Sequence, residues 1–446
     1  MFNINNISKT SFFLIVISAP IQWISLIDIF GLSIKYVHLS IVPILLCLLF
    51  SDFRKTIMRF FDFTKWLIFS FCLLMIVNFV YTCVNATNQG VGFSYISKNL
   101  TYLLYFLAFG SILTYRLKNV NFPKEIAISN FLCTITFLCI AEVIFLSLGR
   151  NFISELFSNF IKGDSVAIRY DIFYKLFNAH GISGDAEYQT SLRNTLLGAF
   201  IYVHFTSLYS LKTTTNRYIK LINWFNIGFG TFLIIASTSR SNMLVLALGY
   251  LIFIFLSLYS RQLFIKPYHI FLALVAAFLF IIFIPKLESF FGNSTSMISD
   301  RLSQLDEDAR WGLDGEALTY FGNNLLAGKG AGALLSDGHR VHNFILGAAY
   351  QAGVFGFFLS IAFYFYILFK VFKSAKLLGG QQNLYWLASL TSLPILRAMT
   401  SGNSGTLTII EWFCLAFFFC LLMDQKENLE IQSFKLYRGR RLVANN

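Results

Sequence analysis

His342-Asn-Phe-Ile-Leu-Gly-Ala-Ala-Tyr-Gln-Ala-Gly353-Val-Phe-Gly356 leads directly into an apolar run that continues to Phe372. Before it lies a polar stretch, from about Lys286 to Val341, holding Arg301, Arg310, Lys329, His339 and Arg340 beside eight carboxylates. A loop therefore ends and a membrane span begins within these few residues. A chain that keeps so long a polar loop between spans is expected to do its work there. His342, at the re-entry point, is the natural candidate for proton chemistry.

Composition places the rest of the chain. Of 446 residues, 56% are hydrophobic and only 13% charged, against about 25% charged in a soluble domain. Apolar runs of roughly 20 residues, each long enough to span a ~30 Å hydrocarbon core as a helix, recur from end to end. The fold class expected is all-α, a polytopic integral membrane protein. The first apolar run resembles a signal peptide, but many equally apolar runs follow it, so it reads as the first span. The chain reads as a single membrane domain, 1–446, with no soluble domain at either end.

Twelve spans are expected, near 11–30, 36–50, 66–85, 99–115, 126–148, 194–211, 220–238, 243–260, 268–285, 353–372, 384–400 and 405–423. The net charge of +13 would suggest nucleic acid in a soluble protein. Here the cations gather in alternate loops: Arg54/Lys55/Arg59/Lys65, Arg116/Lys118/Lys124, Lys212/Arg217/Lys220, Arg261/Lys266, Lys370/Lys373/Lys376 and the tail after Lys426. The positive-inside rule then puts both termini in the cytoplasm and leaves no role for nucleic acid. Two loops on the opposite face are long, 149–192 and 286–341. Their apolar stretches Phe152–Phe160 and Ala317–Leu326 suggest short helices against the membrane surface. No repeat relates the two halves, which weakens a transporter reading.

The seven cysteines lie in or beside apolar runs and read as small hydrophobes, not as a disulfide framework or metal site. Asn85-Ala-Thr87 matches a glycosylation sequon and carries no weight. Asp306-Glu307-Asp308 reads as a solvated acidic run, and His339 and His342 lack a clear third ligand, so no metal or other cofactor is expected. Gly328-Lys-Gly-Ala-Gly332 lacks the spacing and helix of a phosphate loop and reads as a flexible turn; no strand is expected anywhere.

Arg240 sits between two apolar runs with no acid within twenty residues on either side. Such a charge is either a ligand site or a cation reaching for lipid headgroups. Arg310 and Arg169 are each ordinary loop charges taken alone. With Arg240 they make three guanidiniums on one face, suited to an anionic, diphosphate-bearing substrate. His342 differs from His204 and His269, which fall in or beside spans, because it borders both loop and membrane. Its imidazole can take a proton from a sugar hydroxyl.

These residues resemble the O-antigen ligase and polymerase superfamily of bacterial envelope enzymes. The late signature of that family is His, then Asn, Ser or Gln, nine residues, Gly, two residues and a further small residue. His342-Asn343 and Gly353-Val-Phe-Gly356 match it. The stretch from Arg310 to Gly328 is similar to the family's arginine, amphipathic helix and Asn-Pro-Leu-Leu-Gly-x-Gly run, with Asn324 in the place of the proline. Thr238-Ser-Arg240-Ser resembles its threonine/serine-arginine motif, and Arg169 is the match for an arginine in the earlier loop. The resemblance implies metal-free glycosyl transfer from undecaprenyl-diphosphate-linked oligosaccharide at the periplasmic face of the bacterial inner membrane. His342 would act as catalytic base, and Arg240, Arg310, Arg169, His339, Arg340 and Asn343 would bind the diphosphate and substrate. Membrane lipid and a chain-length regulator are the further candidate partners.

A single displacement without an enzyme nucleophile inverts the anomeric centre. Lys162, Arg169, Lys175 and Arg193, together with Arg301 separated by ten residues from Gly312, tilt the reading toward a polymerase. The alternatives are a ligase acting on lipid A-core and a flippase or carrier of the same lipid-linked glycan.

Overall fold

The structure, a computed structural model, describes residues 3–21, 24–29, 32–85, 89–164, 166–178, 186–237, 239–260, 310–336, 338, 341, 343–378, 381–397 and 407–444. Among these the chain is helical apart from one hairpin. In order come α1 (Ile4–Ser18), β1 (Ser25–Ile29), β2 (Leu32–Lys35), α2 (Ile41–Cys47), α3 (Ser51–Val84), α4 (Gln89–Leu117) and α5 (Phe122–Ser147). Then follow α6 (Phe152–Lys162), α7 (Phe173–Asn178), α8 (Ala186–Thr213), α9 (Arg217–Ala236) and α10 (Arg240–Tyr259). The last are α11 (Arg310–Asn323), α12 (Phe344–Leu377), α13 (Gln382–Ala388) and α14 (Ile409–Ala444). Among the described residues seven segments are long and apolar enough to cross a membrane: Ile4–Ile21, α3, α4, α5, α9, α10 and α12. The protein is a multi-pass membrane protein.

The other expected spans differ. The span expected at 268–285 lies outside the described residues. The region 22–50 corrects the expectation of two long helices and of no strands. β1 and β2 pair antiparallel, Ile29 with Leu32 and Asp28 with Ser33, and α2 has only seven residues. The cause is local: Ser25-Leu-Ile-Asp-Ile-Phe-Gly-Leu-Ser-Ile-Lys is rich in branched residues around Phe30-Gly31, a hairpin signal that the high overall apolarity conceals. The 384–400 region is α13, a 3-10 turn (Ser389–Thr391) and a π turn (Leu393–Arg397) in succession.

The expected span at 194–211 lies in α8, where every residue from Leu192 to Ser207 is buried. A helix enclosed on all sides can carry polar groups only if neighbours satisfy them. The Asn130 amide donates to Thr206 Oγ1 and Ser207 Oγ, both at 2.9 Å. Asn223 donates to Ser210, which donates to the carbonyl of Pro123. His204 bridges Tyr250 (2.8 Å) and Thr231 (3.0 Å). Because the Thr231 hydroxyl gives its proton to Ile227, it accepts from Nδ1–H, so Nε2 accepts from Tyr250. His204 is thus a satisfied core histidine.

In α14, Ile409–Met423 is buried throughout. Trp412 stands at the centre, its ring 5.0 Å from Phe71, 5.3 Å from Phe106 and 6.1 Å from Phe363. The same contacts orient the bundle. Phe53 stacks on Tyr115 and Phe79 on Phe93, so α3 and α4 are antiparallel. Lys118 pairs with Glu427 at 3.0 Å, and Arg116 reaches the Asn5 carbonyl at 3.1 Å. One end of the bundle therefore collects basic residues and both chain-terminal helices. The 324–336 segment, α6 and the start of α10 lie at the other. None of the seven cysteines forms a disulfide, and Cys47, Cys133, Cys414 and Cys420 are buried.

At the basic end Arg116 donates from both Nε and Nη2 to Glu125 Oε2, with side chains 1% and 9% exposed. Arg116→Met alone strands the carboxylate and should cost about 3–5 kcal/mol. The double change Arg116→Met/Glu125→Leu should recover most of that loss. Thermal unfolding of the purified protein in detergent reads both; an unchanged midpoint in the single variant would mean the pair is solvated.

Candidate active site at the broken helix

α12 starts at Phe344, nine residues before the expected span. Asn343 is its cap: Oδ1 accepts from the N–H groups of Ile345 (2.9 Å) and Leu346 (3.2 Å). The capping satisfies donors that a helix start leaves open. At Gly353, the expected start of the span, the helix breaks. Ala352 has φ −133° and Gly353 has φ +59°, ψ −151°. A left-handed φ strains any residue with a Cβ, and here a Cβ would also lie 2.8 Å from the Leu325 carbonyl. At Gly356 a Cβ would meet the Ala348 carbonyl at 2.1 Å.

The break leaves backbone groups without helical partners, and the segment after α11 takes them. Lys329 N–H donates to the Tyr350 carbonyl and Gly330 N–H to that of Gln351, each at 3.0 Å; Val354 N–H donates to Leu325 at 2.8 Å. At Gly328 a Cβ would sit 2.2 Å from the Gln351 carbonyl, so only glycine permits this approach. The end of α3 grips the same segment. Tyr81 donates to Leu326 at 2.5 Å, Asn85 to the Lys329 carbonyl at 2.7 Å, and Ala331 N–H to Thr82 Oγ1 at 2.9 Å. Gly328–Gly332, expected as a flexible turn, is instead a docked strip with bonds on both sides. Asn85 is part of that dock.

α11 covers the strip. It runs Arg310–Asn323 where helix was expected to reach Leu326; the chain leaves the helix because Asn324–Ala331 is needed in the dock. Ala317, Ala333, Leu335, Val341 and Tyr350 form a small apolar core beneath it. Glu316 accepts from Ser336 N–H (2.9 Å) and hydroxyl (2.6 Å), and Tyr350 donates to the Leu334 carbonyl at 3.1 Å. Burial raises the Tyr320 phenol above its ordinary pKa.

Arg240 is the first residue of α10 and half-buried. Beside it the Ser239 hydroxyl and the Asn242 amide both donate to Asn194 Oδ1. Arg310 is likewise the first residue of α11. An arginine at a helix start adds its charge to the positive end of the dipole, an arrangement that costs stability unless an anion answers it. Arg169 lies in the π turn Ala167–Ile172, and Arg193 belongs to α8, not to the loop. The side chains of Arg310 and Arg169 are outside what the structure describes. So are His342, His339 and Arg340 altogether, as are Arg301 and Asp306-Glu307-Asp308. Arg240 and Asn343 are thus placed at the same end of the bundle, whereas the histidine's own geometry is not.

The first long loop has its own clasp. α6 is capped by Asn151 and stopped by Gly163, and Phe152 packs on Phe137 and Phe145. Arg150 binds both Glu155 and Asp171, and Lys175 reaches Asp171 at 2.5 Å. The Arg150 guanidinium holds the Asp171 carboxyl down at about 2.

No protein-family model matches the chain, and no curated protein matches it as a significant relative.

Two tests follow from this geometry. If Asn343 acts as the helix cap, Asn343→Asp should keep stability and Asn343→Ala should lose about 1 kcal/mol in thermal unfolding; equal losses would contradict the cap. The lowered Asp171 pKa means that its clasp is complete above about pH 4, the range of an unpaired carboxyl, and is lost as pH falls through about 2. Hydrogen-exchange protection of residues 152–178 should drop over that window, and Asp171→Asn should show the low protection already at pH 7.

Proposed function

We propose that this chain is an inner-membrane glycosyltransferase, an O-antigen polymerase moving a growing glycan from undecaprenyl diphosphate to another lipid-linked repeat unit. One observation carries the reading. Asn343, Gly353 and Gly356 of the His-Asn, nine residues, Gly, two residues, Gly motif are parts of one device: a capped half-helix, a break and a tight turn, held by the Asn324–Ala331 strip. That device lies opposite the basic end, so the positive-inside rule supports a periplasmic site and cytoplasmic termini. Twelve crossings, the number expected from the sequence, would likewise put both termini in the cytoplasm.

The reaction is a single displacement. The acceptor hydroxyl attacks the anomeric carbon, the bond to the phosphate oxygen breaks, and the hydroxyl proton passes to His342. Arg240 and Arg310, each at a helix start, stabilise charge developing on the departing lipid diphosphate, with Arg169, His339 and Arg340 contributing. The configuration inverts because no enzyme nucleophile intervenes. The glycosyl diphosphate supplies the driving force, so no cofactor is required.

The broken α12 also favours a second reading, a carrier for the same lipid-linked glycan, because discontinuous helices mark many transport sites. A carrier needs no histidine chemistry. His342→Ala should insert normally and lower glycan extension by about 10²–10⁴-fold. A lipopolysaccharide gel from a host lacking the gene separates the readings. Core plus one repeat unit supports a polymerase; bare core with polymer held on undecaprenyl diphosphate indicates a ligase. Normal extension by His342→Ala would remove the histidine from the mechanism and favour the carrier.

A further inference from the structure

Lys329 has no role in the scheme above, yet its placement is unusually constrained. Its N–H is tied to Tyr350 and its carbonyl to Asn85, so the backbone cannot drift. Its ammonium stands 4.7 Å over the centre of the Tyr320 ring. Among the described residues no carboxylate lies within ion-pair distance of it. Glu316, an acid one turn before Tyr320 on the same helix, is occupied by Ser336. An aromatic face orients a cation without neutralising it.

The setting is amphiphilic. The strip that carries Lys329 also presents Leu325 and Leu326, 52% and 72% exposed, and the adjoining half of α12 presents Phe355 and Phe358, 56% and 63% exposed. Lys329 is bonded to Tyr350, seven residues along α12 from Asn343, or about 10 Å at the helical rise. A fixed cation therefore lies between the capped helix start and an exposed apolar strip. A ligand with a phosphate head and a long hydrocarbon tail matches that order of charge and apolar surface.

We propose that Lys329 is a binding residue for the phosphate head of a polyprenyl diphosphate whose first isoprene units lie along Leu325, Leu326, Phe355 and Phe358. This rests on the glycosyl-donor reading and adds to it the site that sets the depth of the lipid. The ammonium lends point charge to the diphosphate, while Tyr320 keeps the side chain extended toward it.

The test uses the full chain in neutral-lipid nanodiscs, with undecaprenyl diphosphate as the probe. Wild type should bind it, Lys329→Gln should bind about ten- to a hundredfold more weakly, and Lys329→Arg should restore most of the affinity. Extension assays should show the loss mainly as a higher KM for the lipid donor. Equal binding by wild type and Lys329→Gln overturns the proposal and leaves the glycosyl-donor reading standing. No binding by wild type defeats that reading, and this proposal with it. If Lys329→Gln instead loses retention of phosphatidylglycerol to the same degree, the lysine is a general lipid-headgroup anchor and the proposal fails.

Discussion

Backbone groups at the edge of a membrane must find partners inside the protein, and the break at Ala352-Gly353 is where that demand is concentrated. The Tyr350 and Gln351 carbonyls and the Val354 N–H lose their helical partners there, and Leu325, Lys329 and Gly330 replace them. The replacement works only because Gly353 adopts a left-handed φ and Gly328 brings backbone against backbone. Once docked, the strip fixes the exit of α11, which begins at Arg310, and the entry of α12, which is capped by Asn343. The end of α3 completes the arrangement through Tyr81, Thr82 and Asn85.

The interior of the bundle gives that dock a firm base. α8 and the first half of α14 are enclosed, and α3, α4 and α12 meet around Trp412. Some polar side chains inside are matched across helices, as the Asn130 amide is with Thr206 and Ser207, and His204 with Tyr250 and Thr231. Such matching resists sliding of one helix past another, because each slip would strand a polar group in an apolar setting. The end of the bundle that holds Arg240 and Asn343 is in this way positioned by contacts deep inside the bundle.

Legibility varied with the physical range of the cause. Long spans such as α3, α5, α9 and α10 were readable because crossing a bilayer requires a continuous apolar run. α6 was readable because its apolar face falls within one short stretch, Phe152–Phe160; the Asn151 cap and the Gly163 stop lie on either side of it. The hairpin at 25–35 was hidden by an apolarity that helices and strands share. The dock at Gly328–Gly332 was misread, since three closely spaced glycines signal either looseness or close approach, and the partner segments lie about 20 and 250 residues away.

The sequence by itself determined that the chain lives in a membrane, which end carries the positive charge, and where a polar loop meets a span. These follow from composition and from local spacing. Only the tertiary structure decided that Asn343 caps a half-helix, that Gly353 is a break and not merely the start of a span, and that Lys329 is pinned beneath Tyr320. Each depends on hydrogen bonds and steric limits between segments distant in the chain, and no local pattern encodes which distant backbone will arrive.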